Sequence, residues 1–565
     1  MSSRFSLRSA LATAVAPATR PSSPVAPARP SSFAFHLSTL LPASARRLPF
    51  LLSAFSFLLC PPPAVAANAP VILSVPNDPT VSLRLWFKVG SQNDPADKPG
   101  LAALTAALVA EGATRNRPYD QILDQLYPLA SSYSASPSVE MTVVSGRTHR
   151  DNLGDFYPLF VDAVLNPAFA QSDLDRIRSR TLNLIENQLR FASDEELGKA
   201  VLYQEIFAGT PYGHLALGTV ASLKSITVED VKAFHAKYYT RDNVVIGLGG
   251  PVPDLKNSDA AAPATVTAPS AAVTPATLLA RLKTDLAQLP AGAPPLVAAP
   301  APAPLQGQSA TLVEKANAAS TALSLGFPLD VLRGTKDWYA LAIATSWLGE
   351  HRNSSGRLYQ VIREQRGLNY GDYAYIEHFP NGGLRFLPPQ NVARRRQIFE
   401  IWIRPVPHEA RHFALRAALR EFDQLVQGGL TPEDFESRRA FVKKYVQHYA
   451  SNTSERLGYA LDDVFYGLDE PHLAKFRRMM DELTLADVNA AMKKHWQSAN
   501  LKIVAVTKDA AAFAAALAAN TPSPITYESP KPDAVLAEDK LIAAYPLKLT
   551  RDAIKIVPVA ELFAK

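Results

Sequence analysis

The segment PGLAALTAALVAEG, Pro99–Gly112, decides how the chain is read. Alanine and leucine dominate it, and apolar residues fall at Leu101, Leu104, Leu108 and Val109, the spacing of a helix face. Gly112 supplies a stop. Upstream, Val81–Val89 reads as a strand, and a polar turn opens at Gly90. The local unit is therefore strand, turn, helix.

Composition sets limits around this unit. A chain of 565 residues is too long for one core, and 47% hydrophobic with 19% charged residues marks it as globular. The net charge of +6 belongs to the first 66 residues, which hold six arginines and neither lysine nor acid. Without them 52 basic residues face 52 acidic ones, so nothing points to a nucleic-acid partner. The same stretch reads as an export leader. Arg46-Arg47 flanks the apolar run Leu48–Cys60, and Ala64-Val65-Ala66 fits a small-residue cleavage site. The run is too short for a stable membrane span. A periplasmic or extracellular destination follows; the Ser-, Ala-, Pro- and Arg-rich residues 1–44 also suit an organelle transit peptide. Cys60 is the only cysteine, so the mature chain would have no disulfide and no thiol nucleophile.

Beyond the leader, Val71–Gly250 reads as one α/β unit. Strands are expected at Val81–Val89, Val139–Ser145 and Val244–Gly250. Helices are expected at Asp151–Leu165, Ser172–Phe191, Asp194–Ala208 and Thr227–Tyr238. Pro275–Leu289 reads as a further helix capped by Thr274. Alanine- and proline-rich stretches, Asp259–Val273 and Pro290–Leu305, flank it as linkers. From about Gln308 the plan repeats: strand Ala319–Gly326, helix Thr335–Leu348, long helices Pro407–Val426 and Thr431–Tyr449, helix Thr484–Trp496 and strand Leu501–Thr507.

The opening VSLRLWFKVGSQNDPADKPGLAALTAAL resembles that of the pitrilysin/insulinase family of zinc peptidases. NPAFAQSDLDRIR (Asn166–Arg178) and PYGHLALGTVASLKSITVEDVKAFHAKYY (Pro211–Tyr239) continue the resemblance in family order. In active members the helix carries H-x-x-E-H. Laid over this chain, the histidines fall on Ala103 and Ala107 and the glutamate on Ala106. Methyl groups neither hold a metal nor take a proton from water. Glu186 lies near where the family's third ligand falls; without the histidines it reads as a solvated helix acid. His214 and His235 are isolated and read as structural.

The second half holds SGRLYQVIREQRGLNYGDYAYIE, Ser355–Glu377. Leu358, Val361 and Ile362 have helical spacing, Gly367 ends the helix, and Tyr370, Tyr373 and Tyr375 follow in a strand-like run. The break lets Arg363 and Tyr370 converge. An arginine fork donates to carbonyl oxygens and a tyrosine hydroxyl can stabilise an oxyanion. The segment resembles the family's Arg/Tyr pair, which implies contacts to the substrate backbone and the attacked carbonyl.

One literal zincin pattern competes: His408-Glu409-Ala410-Arg411-His412. Pro407 puts it in the first turn of a helix, Arg411 places a positive charge beside any metal, and Glu433 or Glu436 are only candidates for a third ligand. His408 and His412 otherwise extend the apolar stripe of Leu415, Leu419, Phe422 and Val426 as edge-of-core residues.

The resemblance implies an α/β (α+β) fold of two insulinase-like repeats forming a half-shell, each a sheet packed with helices. The expected divisions are leader 1–66, first repeat 67–290, linker 291–307, second repeat 308–520 and extension 521–565. The expected function is the non-catalytic subunit of a heterodimeric zinc metalloendopeptidase. Its partner subunit holds the zinc, and extended peptides contact Arg363 and Tyr370. Alternatives are a peptide-binding or assembly protein, and an autonomous zincin built on His408, Glu409 and His412.

Overall fold

The computed structural model describes residues 68–254, 273–350, 354–382 and 385–565. The leader, its Cys60 and nearly all of Asp259–Val273 lie outside the described residues. The first half runs β1 (Val71–Ser74), β2 (Thr80–Phe87), α1 (Leu101–Glu111), α2 (Tyr119–Leu126), β3 (Ser132–Pro137), β4 (Thr142–His149), α3 (Leu153–Leu165), α4 (Gln171–Asn183), α5 (Asp194–Ile206), α6 (Val220–Ser225), α7 (Val228–Tyr238) and β5 (Val244–Gly250). A short α8 (Leu278–Leu286) follows.

The second half repeats this succession. It runs β6 (Gln308–Glu314), β7 (Thr321–Leu329), α9 (Lys336–Leu348), β8 (Asp372–Tyr375), β9 (Gln397–Val406), α10 (Arg411–Gly428), α11 (Pro432–Tyr445), α12 (Thr453–Tyr466), α13 (His472–Glu482), α14 (Leu485–His495) and β10 (Leu501–Thr507). The sheets have matching orders, β1-β5-β2-β4-β3 and β6-β10-β7-β9-β8, with β11 (Ile554–Pro558) added beside β6 in the second. Equivalent helices start on equivalent caps. Thr227 with Asp230 opens α7, and Thr484 with Asp487 opens α14, each as a reciprocal capping box.

The halves exchange a helix. The first sheet carries its own helices on one face and α12, from the second half, on the other. Trp86, Met141, Val143 and Val245 pack there with Leu461, and the Trp86 and Phe465 rings lie 5.9 Å apart. This two-sided burial leaves only Thr80 and Arg84 of β2 short of full burial, Ser82 included among the buried residues. Gly249 makes the approach possible, since a Cβ there would sit 2.9 Å from Thr453 Cγ2. Reciprocally, α5 lies on the second sheet, where the first-half core takes in Val313, Ile398, Val504 and Val506. Gly198 of α5 clears Ser324 Oγ by a margin that a Cβ would close to 3.0 Å.

Polar contacts fix the exchange. Tyr203 Oη donates to Glu400 Oε1 at 2.9 Å, and Lys199 Nζ sits 3.7 Å from the centre of the Trp402 ring. Arg84 donates to Asn391 and to the Ser454 carbonyl, and Arg395 pairs with Glu140 at 2.6 Å.

Residues 290–305 run without regular secondary structure, tied by Arg395 to the Val297 carbonyl and by Arg396 to the Ala299 carbonyl. The tail docks on both halves. Helix α15 (Ala510–Ala519) is followed by α16 (Asp533–Ala543), whose Glu538 and Asp539 pair with the fully buried guanidinium of Arg366. After β11, the carbonyls of Phe563 and Ala564 accept from the Val220 and Ala221 amides, and Arg190 Nε donates to the Leu562 carbonyl at 2.8 Å. Val559, Leu562 and Phe563 enter the first-half core.

Several boundaries differ from the sequence reading. β4 begins at Thr142, because Val139 and Ser138 form the turn that receives the amides of Gln92 and Ser91. The helix expected over Ser172–Phe191 ends at Asn183 and continues as a π-helical turn, Leu184–Ala192. The helix expected from Pro275 starts at Leu278, because Thr274 and Thr277 first close a polar turn.

Candidate functional site

Helix α1 opens on Gly100, whose side chain can cap nothing. Asp94 caps it instead, accepting from the Gly100 and Ala102 amides at 2.7 Å each. His214 holds that carboxylate at 3.2 Å, which gives the histidine a structural task. Ala106 is fully buried, while Ala103 and Ala107 are partly exposed. The pattern is that of a helix with one open edge, and that edge is alanine. Glu186 lies on the π-helical turn and is partly exposed. The methyl groups of Ala103, Ala106 and Ala107 offer no ligand to a zinc ion. Among the described residues, no group of three or more His, Cys, Asp or Glu could hold a metal ion.

The HEARH segment is equally unsuited. His408 lies on a 3-10 turn, His408–Ala410, and both its ring nitrogens are engaged, Nδ1 with Thr321 Oγ1 at 2.8 Å and Nε2 with the Ala318 carbonyl at 2.9 Å. His412 is buried against Phe513, and burial with Arg416 and Arg411 pushes its pKa down to about 4. Arg411 itself stacks on Phe513 and donates to Thr507 Oγ1. Glu436 is turned to Arg439. His235 is a core residue too, stacked on Tyr239 and pushed down to about 4 by burial.

Arg363 and Tyr370 do come together. Leu358, Val361 and Ile362 are fully buried and anchor a π-helical turn, Tyr359–Glu364, a form frequent at functional sites. Gly367, at φ +70°, turns the chain, and its amide closes on the Arg363 carbonyl. Asn369 then fixes the path by donating to Asp372 Oδ1 at 2.7 Å and to the Arg404 carbonyl at 3.1 Å. Tyr370 projects outward, 72% exposed. Arg363 Nη1 donates to the Tyr370 carbonyl at 3.1 Å and to the Tyr359 hydroxyl. The guanidinium carbon lies 4.6 Å from the centre of each ring, so the cation is flanked by two tyrosines.

Behind this group stand residues that sequence reading missed. Arg404 of β9 approaches the Tyr370 ring at 5.9 Å and pairs with Glu195, in the first turn of α5, at 3.0 Å. Asp372 is buried, and burial raises its pKa well above the usual carboxylate range against the pull of Asn369, Arg363 and Arg404. Tyr359 could have been found, because it stands one helical turn before Arg363. Arg404, Asp372 and Glu195 depend on strand register and on the helix exchange, which leave no local signal.

A duplicated α/β chain whose two sheets share one strand order defines a class. The chain belongs to the insulinase family of peptidases, family M16. Residues 71–219 match the description "Insulinase (Peptidase family M16)" and residues 225–441 match "Peptidase M16 inactive domain". It is 27% identical over 177 residues to a non-peptidase homolog, YmxG, of Helicobacter pylori, covering 31% of this chain and 39% of that one. It is 27% identical over 172 residues to the mitochondrial-processing peptidase subunit beta of Dictyostelium discoideum, covering 30% and 36%. An uncharacterized zinc protease of Mycobacterium bovis is 24% identical over 54% of this chain and 64% of its own length. The chain thus spans less than two thirds of each of these curated relatives. A peptidase M16 inactive domain from Pseudomonas fluorescens superposes with a TM-score of 0.64 at 26% identity, covering 78% of this chain and 97% of that one. A protease from Helicobacter pylori, at 16% identity and a TM-score of 0.62 over 77% and 96%, shares the fold.

Proposed function

We propose that this chain is the non-catalytic subunit of a two-subunit insulinase-family peptidase that acts on extended peptides. The observation that carries the reading is the pairing of two features in one chain. Ala103, Ala106 and Ala107 stand in the ligand and base positions, while Arg363 and Tyr370 are held together at an exposed edge. The first feature removes the means to activate water. The second keeps the means to orient a peptide carbonyl. A separate subunit with an intact zinc helix would supply the metal and the base. The leader supports export to the periplasm or the exterior, or import into an organelle. Among the described residues no helix is long and apolar enough to cross a membrane.

The test is reconstitution. The mature chain alone should hold no zinc and cleave no unfolded peptide. Mixed with a zinc-bearing insulinase-family subunit from the same source, it should raise hydrolysis of a quenched-fluorescent peptide, and Arg363→Ala should abolish the gain. Unchanged hydrolysis on mixing would sink the subunit reading. It would favour the second one, a peptide-binding or assembly protein, in keeping with the likeness to a non-peptidase homolog.

A further inference from the structure

Arg363 is a partly exposed cation whose charge no carboxylate answers by an ion pair among the described residues. Its two hydrogen bonds both leave from Nη1. The rings of Tyr359 and Tyr370 flank its guanidinium, each centred 4.6 Å from the guanidinium carbon. What remains is one edge, Nε and Nη2. These two N–H groups have no hydrogen-bond partner among the described residues. They are the parallel donors that accept a carboxylate in a fork.

The neighbours leave that charge standing. Arg404 is already paired with Glu195. Asp372 is 1% exposed, bonded to Asn369, and driven by burial toward its neutral form. Glu364 lies beside the Tyr359 hydroxyl, and no ion pair joins it to the guanidinium among the described residues. The stack also fixes the orientation in advance, so little freedom is lost when a ligand arrives.

We infer that this tyrosine-flanked edge is a carboxylate receptor, through which the chain grips either the terminal carboxylate of a peptide or an Asp or Glu side chain. The inference rests on the peptide reading above and adds a ligand chemistry to it. Tyr359 acts as a positioning residue.

The test uses the full mature chain and three labelled, unstructured peptides of one core sequence. One ends in a free carboxylate and has no acidic side chain. One ends in an amide and has none. One ends in an amide and carries a single Glu. A carboxylate-bearing peptide should bind about tenfold tighter than the carboxylate-free one, the scale of a charge-assisted pair. The gain should disappear in Arg363→Gln, persist in Glu364→Gln, and shrink as salt rises. Preference for the free acid assigns the chain terminus, and preference for Glu assigns the side chain. Equal binding of all three peptides overturns the receptor and leaves the peptide reading standing. Failure of all three to bind overturns both. An unchanged melting temperature in Arg363→Gln separates lost recognition from lost folding.

Discussion

In the proposed peptide site, Arg363, Tyr359 and Tyr370 have tasks that substitutions can separate. In the proposed two-subunit peptidase, where their task is carbonyl polarisation, Arg363→Ala should lower kcat/KM by roughly a hundredfold and Tyr370→Phe by about tenfold. Tyr359→Phe keeps the stack and loses only the hydroxyl tie, so it should act weakly, whereas Tyr359→Ala should approach the arginine variant. Glu400 makes a second residue-scale prediction. Burial is the main cause that raises its pKa to about 7, partly opposed by Lys199. A carboxyl with a raised folded pKa holds its proton longer in the folded state, so stability falls as pH rises from the unfolded value of about 4.3 through about 7. Glu400→Gln should flatten that fall, gaining on the order of 3 kcal/mol relative to wild type at pH 8 over pH 4, read by thermal melts at both pH values. An unchanged pH dependence would refute it. At this scale the sequence was informative where chemistry is local. The seven-residue spacing of Arg363 and Tyr370 could be read directly. Glu400 could not, because only the arrival of α5 makes its strand position a buried one.

Among the elements, α1 and the tail carry opposite lessons. Restoring the family pattern through Ala103→His, Ala106→Glu and Ala107→His should not yield a stable zinc helix, because Ala106 is 0% exposed. Ala106→Glu alone overpacks that site and buries a charge, and should cost about 1–3 kcal/mol or more, measurable by chemical denaturation. The strap after β11 should matter more than its composition implies. Phe563→Ala removes a buried ring from the first-half core and should cost about 3–5 kcal/mol. Hydrogen exchange should then quicken across α6 and the π-helical turn Leu184–Ala192, which its neighbours hold. Protection unchanged at both places would show the strap to be passive. Helices with Thr caps were legible from sequence, as α7 and α9 show. Edge strands were less so. SYSASP at β3 lacks the β-branched run that marks a strand, and β11 gains its meaning only from its parallel pairing with β6. The two π-helical turns read as ordinary helix, since an inserted residue leaves the apolar spacing nearly intact.

For the whole molecule, the exchange of α5 and α12 predicts one cooperative unit. Calorimetry of residues 67–565 should give a single transition, and residues 67–290 made alone should fail to fold to a stable monomer, because Trp86, Val143 and Val245 lose the cover of α12. Two separated transitions would contradict this. The duplication was legible in the order of strands and helices. The exchange was not, since it depends on space above glycines such as Gly249 and Gly198. The strap adds a constraint in time. Arg190 meets the Leu562 carbonyl across 372 positions of sequence. The first half therefore cannot reach its final state while it is the only part synthesised. It must wait, with an unfinished surface, for a segment made long after it. During that interval it is open to chaperones and proteases, and the join that ends the interval also reports that the second half is complete.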